Sequence, residues 1–225
     1  MTVIQSRTPE IRTSHGRGLQ SYERVGKRLL DLLAASGLLL VLWPVMLAAA
    51  ALVKASSRGP VLHHQPRVGM HGRVFTMYKF RSMRLGGDDS AHREFNRREL
   101  AGELDELEEY SLPQDPRITP VGRRLRKYSI DELPQLFNVI SGDMSIVGPR
   151  PSLEWEVELF DDRFTSRLDV RPGITGLWQV SGRRTIDMNG MLELDVQYRQ
   201  ELSLFEDVRI LAATLPAVIR AEGAG

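Results

Sequence analysis

The stretch L-L-D-L-L-A-A-S-G-L-L-L-V-L-W-P-V-M-L-A-A-A-A-L-V, residues 29 to 53, holds a single charge, Asp31, near one end. A straight helix of this length reaches ~37 Å, enough to cross a bilayer core of ~30 Å. A charge near a helix end costs far less than one at mid-membrane. A cleaved signal peptide fits poorly, because its apolar core is usually only about half as long. Two readings remain. A simple span needs only the length. A re-entrant helix is favoured by two further features. Pro44 removes a backbone donor in mid-segment and kinks the helix. Both flanks are basic, with Arg17, Arg24, Lys27 and Arg28 before and Lys54, Arg58 and Arg67 after. The preference of Lys and Arg for the cytoplasmic side then keeps both ends there. At this point a simple span stays open.

Outward from the anchor, the 225-residue chain has room for one ordinary domain. Net charge is +1, so bulk charge selects no partner. Its distribution is more telling. Residues 54 to 87 carry seven Lys and Arg and no Asp or Glu, which suits phosphates or anionic lipid head groups. Residues 88 to 115 reverse that sign. The absence of cysteine excludes disulfides, thiolate zinc sites and cysteine nucleophiles. No nucleic-acid partner is expected. There is no G-x-x-x-x-G-K-[ST] phosphate loop, G-x-G-x-x-G or H-E-x-x-H, and His63, His64 and His71 lack metal-site spacing.

The pattern predicts an α-rich α/β chain: a flexible tail at 1–20, a membrane-helix region at 21–56 and a compact catalytic domain at 57–220. Two short strands joined by a Gly-containing turn are expected within 60–84. Helices are expected at 89–110, 123–127, 131–140, 152–163 and 188–202. Residues 112–120 read as a proline-marked loop. Residues 170–184 are rich in Gly and Arg, with β-prone Ile174, Leu177, Trp178 and Val180, and the bland reading of 171–183 is a Gly-rich hairpin with a core Trp. At 204–219, Leu204, Phe205, Val208, Leu211, Ala212, Leu215 and Val218 share one helical face. Core packing is the default for that face, and a helix lying on a membrane surface stays open.

Four segments could carry chemistry. The first is R-K-Y-S-I-D-E-L-P-Q-L, residues 126 to 136. Ser129 and Glu132 have the spacing of a capping box, which would make the acids purely structural. Alternatively, neighbouring carboxylates on a helix point about 100° apart and do different jobs. Asp131 beside Arg126 and Lys127 should stay ionised and could attack phosphorus. Glu132 could hold Mg²⁺, a hard ion that takes few carboxylates and prefers phosphate oxygens for the rest. The second segment, G-D-M-S-I-V-G-P-R-P (142 to 151), presents Arg150 from a rigid turn, and an Arg fork matches phosphate. The third, R-P-G-I-T-G-L-W-Q-V-S-G-R (171 to 183), offers Arg171, Arg183, Ser181 and Trp178. The fourth, Y-K-F-R-S-M-R (78 to 84), offers Lys79 and Arg81. Each alone has a bland reading as a solvated turn or basic strand face.

Together and in order, these blocks resemble the bacterial sugar transferase family. Also matching are K-R-L-L-D (27 to 31), G-P-V (59 to 61), Q-P-R-V-G (65 to 69) and D-P-R-I-T-P-V-G (115 to 122). The resemblance covers roughly residues 22 to 215 in the compact form of the family. It implies a monotopic phosphoglycosyl transferase at the cytoplasmic face of the inner membrane. Such an enzyme loads a sugar-1-phosphate from a nucleotide diphosphate sugar onto polyprenyl phosphate, usually undecaprenyl phosphate. That step opens exopolysaccharide, capsule or O-antigen synthesis. By the resemblance, Asp131 is the nucleophile and Glu132 the Mg²⁺ ligand. Arg126 and Arg150 match the family's arginines, and the anchor is re-entrant at Pro44. The family often has Ser before that proline, and here Trp43 stands in its place. Two other classes remain: a glycosyltransferase that releases nucleoside diphosphate, and a non-enzymatic anchoring subunit. A homo-oligomer stays open, as do the sugar, the base and the lipid length.

Overall fold

The computed structural model describes residues 22–84, 117–182 and 186–219, with positions 86, 94, 95, 97–99 and 103 between them. The tail expected at 1–20 lies outside the described residues. So does most of the helix expected at 89–110, of which positions 94–95 and 97–99 are helical. Most of the proline-marked loop at 112–120 also lies outside.

After a short π-turn at Tyr22–Gly26, helix α1 runs over Lys27–Ser56 and passes through Pro44. Mean hydropathy in its most apolar window is 2.3, and only 11% of that window is buried. Strands β1 (Leu62–Val68) and β2 (Val74–Phe80) form the expected antiparallel hairpin, with Val68 opposite Val74. Helix α2 (Pro120–Lys127) starts where Thr119 accepts a bond from the Gly122 N–H, with Pro120 in the first turn. A 3-10 turn at Ile130–Glu132 leads to α3 (Gln135–Ser141). Then come β3 (Ser145–Val147), α4 (Glu154–Glu158), a 3-10 stretch at Asp162–Asp169, and β4 (Gly173–Thr175). Helices α5 (Leu177–Gly182), α6 (Met188–Glu201) and α7 (Leu204–Ile219) close the described chain.

Several expectations change. The segment 170–184 is not a hairpin. Its first strand, β4, pairs in parallel with β3, and Leu177, Trp178 and Val180 are helical. Pairing with a distant strand overrides local β propensity here. Gly148 and Gly173 make the pairing possible: a Cβ on Gly173 would fall on the backbone N of Gly148, and one on Gly148 on the carbonyl of Arg171. The helix expected over 152–163 is shortened to α4 and continues as 3-10 turns. Most of the α7 face expected to pack inward faces outward instead, with Leu211 alone among its large residues packed against the main core. Phe205 is 78% exposed, and Leu204, Val208 and Leu215 are exposed as well. The buried side carries Glu206, Asp207 and Ile210. Asp207 wins a place on the inner face because donors wait there. Tyr198 and Lys27 donate to Asp207 at 2.6 and 2.7 Å, and Tyr22 donates to it as well.

Both arms of α1 rest on the same globular body. On the N-terminal arm, Asp31 accepts from Ser145 Oγ at 2.8 Å and from the Ile146 N–H at 2.9 Å. This charge is docked against β3; it does not face a membrane edge. Arg28 donates to the carbonyls of Val139 and Ile140 at the end of α3. Ala35 joins the core of Met77, Leu136, Val139 and Met144. On the C-terminal arm, Ala49 and Val53 pack on Phe80 and Leu125. Between the arms, Leu40, Val41, Trp43 and Leu47 are exposed.

Candidate active site

Three connections bring distant segments to one place. Asn138 of α3 donates to the Thr76 carbonyl at 2.8 Å and accepts from the Tyr78 N–H at 3.1 Å, which docks α3 along the edge of β2. That contact sets Lys79 against the turn preceding α3. The β3–β4 pairing sets the residues after β3 beside those after β4. A bridge between Val68 and Ser152 ties the first hairpin to the turn 149–151.

The result is a cavity of about 220 Å³ lined by two carboxylates, four cations and a polar-aromatic wall. Asp131 and Glu132 face it together with Lys79, Arg126, Arg150 and Arg67. Lys79 Nζ bonds Glu132 Oε1 at 2.9 Å. Among the described residues no side-chain donor bonds Asp131. Burial pushes the Asp131 carboxyl up to about 6; the charge of Glu132 adds to this, while Lys79 and Arg126 oppose it. The sequence suggested a fully ionised Asp131 independent of its neighbour. Instead the two acids share one cavity and one field, because a 3-10 turn and burial bring both to the same wall. The turn itself is constrained. Ser129 has φ 53 and makes no capping bond from its side chain, so the expected capping box is absent. A non-glycine residue in that region stores about 1 kcal/mol or more and is characteristic of functional sites.

Of the other expected site residues, Arg81 does not line the cavity. It is buried and donates to the carbonyl and hydroxyl of Ser57 at the end of α1. It lies one residue past the end of β2, so the strand alternation that would place it on the side of Lys79 no longer governs it. Arg171 also stands apart, donating to the Gly142 carbonyl at 2.9 Å. Arg183 lies outside the described residues. Pro44 sits in the exposed middle of α1.

Trp178, offered by the third segment, lines the cavity, and the structure adds Arg67, Ser129, Gln135 and Gln179. Arg67 is buried. Burial and the neighbouring Arg150 push its guanidinium down to about 10. Its presence in Q-P-R-V-G was the only sequence signal. The indole N–H of Trp178 and the Gln179 side-chain oxygen are buried without a hydrogen-bond partner among the described residues. Orphaned groups of this kind on a cavity wall suit a polar ligand.

Among the described residues no three His, Asp or Glu side chains gather into a metal cluster. The Asp131–Glu132 pair nevertheless fits Mg²⁺, which needs only one or two carboxylates when phosphates and water complete its shell. Among the described residues a zinc-type cage has no counterpart.

The bacterial sugar transferase family model matches residues 22–221. The chain is 44% identical over 203 residues to the exopolysaccharide production protein ExoY of Rhizobium meliloti, covering 88% of each chain. It is 40% identical over 198 residues to the undecaprenyl-phosphate galactose phosphotransferase of Salmonella typhimurium, covering 88% of this chain and 41% of that protein. A third relative, the undecaprenyl-phosphate glucose phosphotransferase of Komagataeibacter xylinus, is 38% identical over 210 residues, and the match covers 37% of its length.

Proposed function

The chain belongs to the bacterial sugar transferase family, and from that membership we propose that it transfers a sugar-1-phosphate from a nucleotide diphosphate sugar to a polyprenyl phosphate. The observation that carries the reading is the convergence of Asp131, a buried carboxylate with no bonded side-chain donor, with four cations on one cavity. An Asp131 oxygen attacks the sugar-linked phosphorus. The bond from that phosphorus to the bridging oxygen breaks, and nucleoside monophosphate leaves with the electron pair. An oxygen of the lipid phosphate then attacks the same phosphorus, and the Asp131 carboxylate departs. The product is a lipid-diphosphate-linked sugar.

Arg150, Arg126 and Arg67 neutralise the diphosphate, whose charge grows as the bond breaks. Lys79 holds Glu132 in place. Mg²⁺ bound by Glu132, with Asp131 adjacent, would supply further charge neutralisation on phosphate oxygens. Trp178 and Gln179 offer a donor and an acceptor to the uncharged part of the donor substrate.

The anchor reading follows the same logic. Both arms of α1 pack on one body, and its exposed apolar middle lies between them. A bilayer that receives Leu40, Val41 and Trp43 then has both helix ends on one side. This supports a re-entrant dip with the cavity at the cytoplasmic face of the membrane. The outward apolar face of α7 supports contact with the same surface.

The test is product analysis after incubation with a panel of sugar nucleotides and undecaprenyl phosphate. Release of nucleoside monophosphate, and a phosphosugar adduct on Asp131 by mass spectrometry, are expected. Release of nucleoside diphosphate would replace this reading with simple glycosyl transfer. Purified protein that turns over nothing would favour an anchoring role.

A further inference from the structure

Behind the cavity lies a buried ion pair that no motif singled out. Arg167 is 1% exposed and Asp195 0%. Arg167 Nε donates to Asp195 Oδ2 at 3.1 Å, and Nη2 donates to the same oxygen. The remaining N–H groups reach the turn that presents Arg150. Nη2 donates to the Arg150 carbonyl at 2.7 Å, and Nη1 to Ser152 Oγ at 2.5 Å. From the opposite side Arg67 donates to the Pro151 carbonyl at 3.0 Å, and the Val68 N–H to the Ser152 carbonyl at 2.8 Å. Residues 150, 151 and 152 are therefore each gripped, and two of the three by one guanidinium.

A buried ion pair is a poor stabiliser by itself. Taking both charges out of water costs about as much as their attraction returns, and an apolar replacement is often neutral. What an apolar replacement lacks is direction. A guanidinium is planar, and its donors are fixed relative to one another. Asp195 fixes one edge, so the bonds to Arg150 and Ser152 are fixed in turn. Neither Arg167 nor Asp195 lines the cavity, whereas Arg150 does.

We propose that the Arg167–Asp195 pair is a positioning unit that holds the Arg150 backbone so that its guanidinium faces the reacting phosphate. This rests on the reading of Arg150 as a phosphate ligand. Arg167→Lys is the informative variant. A lysine still pairs with Asp195, but its single nitrogen cannot reproduce the fork that reaches Asp195, the Arg150 carbonyl and the Ser152 hydroxyl from three atoms.

The experiment is a double-mutant cycle on the full chain in lipid nanodiscs. It measures Mg²⁺-pyrophosphate binding by calorimetry and turnover with sugar nucleotides, alongside the melting temperature of each variant. Arg150→Ala is expected to lower turnover by about 10²-fold and Arg167→Lys by about 10-fold. The double variant is expected to match Arg150→Ala alone, because both act through one side chain. Pyrophosphate affinity should follow the same non-additive pattern. Multiplying effects, or wild-type values in folded Arg167→Lys, would overturn the proposal. If Arg167→Lys fails to fold, Ser152→Ala removes one anchor and leaves the ion pair intact. Its smaller loss must likewise vanish in the Arg150→Ala background, and a loss that persists there overturns the proposal. A non-additive pyrophosphate cycle in a protein that turns over no sugar nucleotide would sink the transfer reading alone. Failure of wild type to bind pyrophosphate would sink both.

Discussion

The cavity wall around Asp131 and the layer of charge behind it use the same residue types to opposite ends. Asp195 and Asp207 are buried and supplied with donors: Arg167 for the first, Tyr22, Lys27 and Tyr198 for the second. Asp131 is equally removed from water, yet its cations stand off. Lys79 is committed to Glu132, and Arg126 acts through space. Asp131 thus differs from the ion-paired acids in its bonded side-chain donors and in facing the cavity. Asp195 spends Oδ2 on Arg167 and keeps Oδ1 unpaired, but it does not face the cavity. Asp131 faces the cavity with no bonded side-chain donor, and burial raises its carboxyl as it raises that of Asp195.

The contrast breaks most visibly at Asp131 itself. Asp131→Asn should lower turnover by about 10³-fold or more. The same change should stabilise the protein. A carboxyl raised from 3.8 to about 6 favours its protonated form in the folded state. Its charge therefore costs stability above about pH 6, and that cost disappears as pH falls toward 4. Removing it is worth about 1–3 kcal/mol at neutral pH, which calorimetry would register as a higher Tm. A lower Tm would show that Asp131 belongs with the structural acids.

Asp207→Asn should do the reverse, costing about 3–5 kcal/mol because Lys27 is left buried without its counter-charge. Urea denaturation of the folded protein measures this. A loss below ~1 kcal/mol would remove Asp207 from the comparison.

The pH profile sharpens the comparison further. The kcat/KM for the sugar nucleotide should fall as pH drops through about 6, losing about tenfold per unit below it. A profile flat to pH 5 would mean that bound substrate or metal has already restored an ordinary carboxylate. The smallest effect is expected from Lys79→Met. Removing that cation should move the acid limb to higher pH by less than about one unit. A shift to lower pH would mean that Lys79 does not face Asp131 electrostatically.

How much of this was legible beforehand varies by segment. The hairpin at 62–80 was readable because its alternation and its turn are local. So were α6 and α7 as helices, since 3.6-residue periodicity is local too. The outward face of α7 was not readable. An apolar stripe states that it avoids water, not whether protein or lipid removes it. The segment 173–182 misled through β propensity, because a parallel partner 28 residues upstream decided its pairing. In the site, Asp131, Glu132, Lys79, Arg126 and Arg150 were named from the chain. Arg81 and Arg171 were named with them, yet they hold backbone carbonyls elsewhere. Sequence marks an arginine, but only geometry says what its fork is bonded to. Arg67, Gln179 and the Arg167–Asp195 pair carried no separable signal.

By itself, then, the sequence determined the long apolar helix, the hairpin, most helices and the acid pair, because each rests on composition or spacing within a few residues. The tertiary structure decided that Asp31 docks on β3, that α7 turns most of its apolar face outward, and that Asp131 is left without a bonded side-chain donor. Those outcomes depend on which distant groups arrive first at each charge. A buried charge is governed by its nearest few ångströms, and no local pattern specifies what fills them.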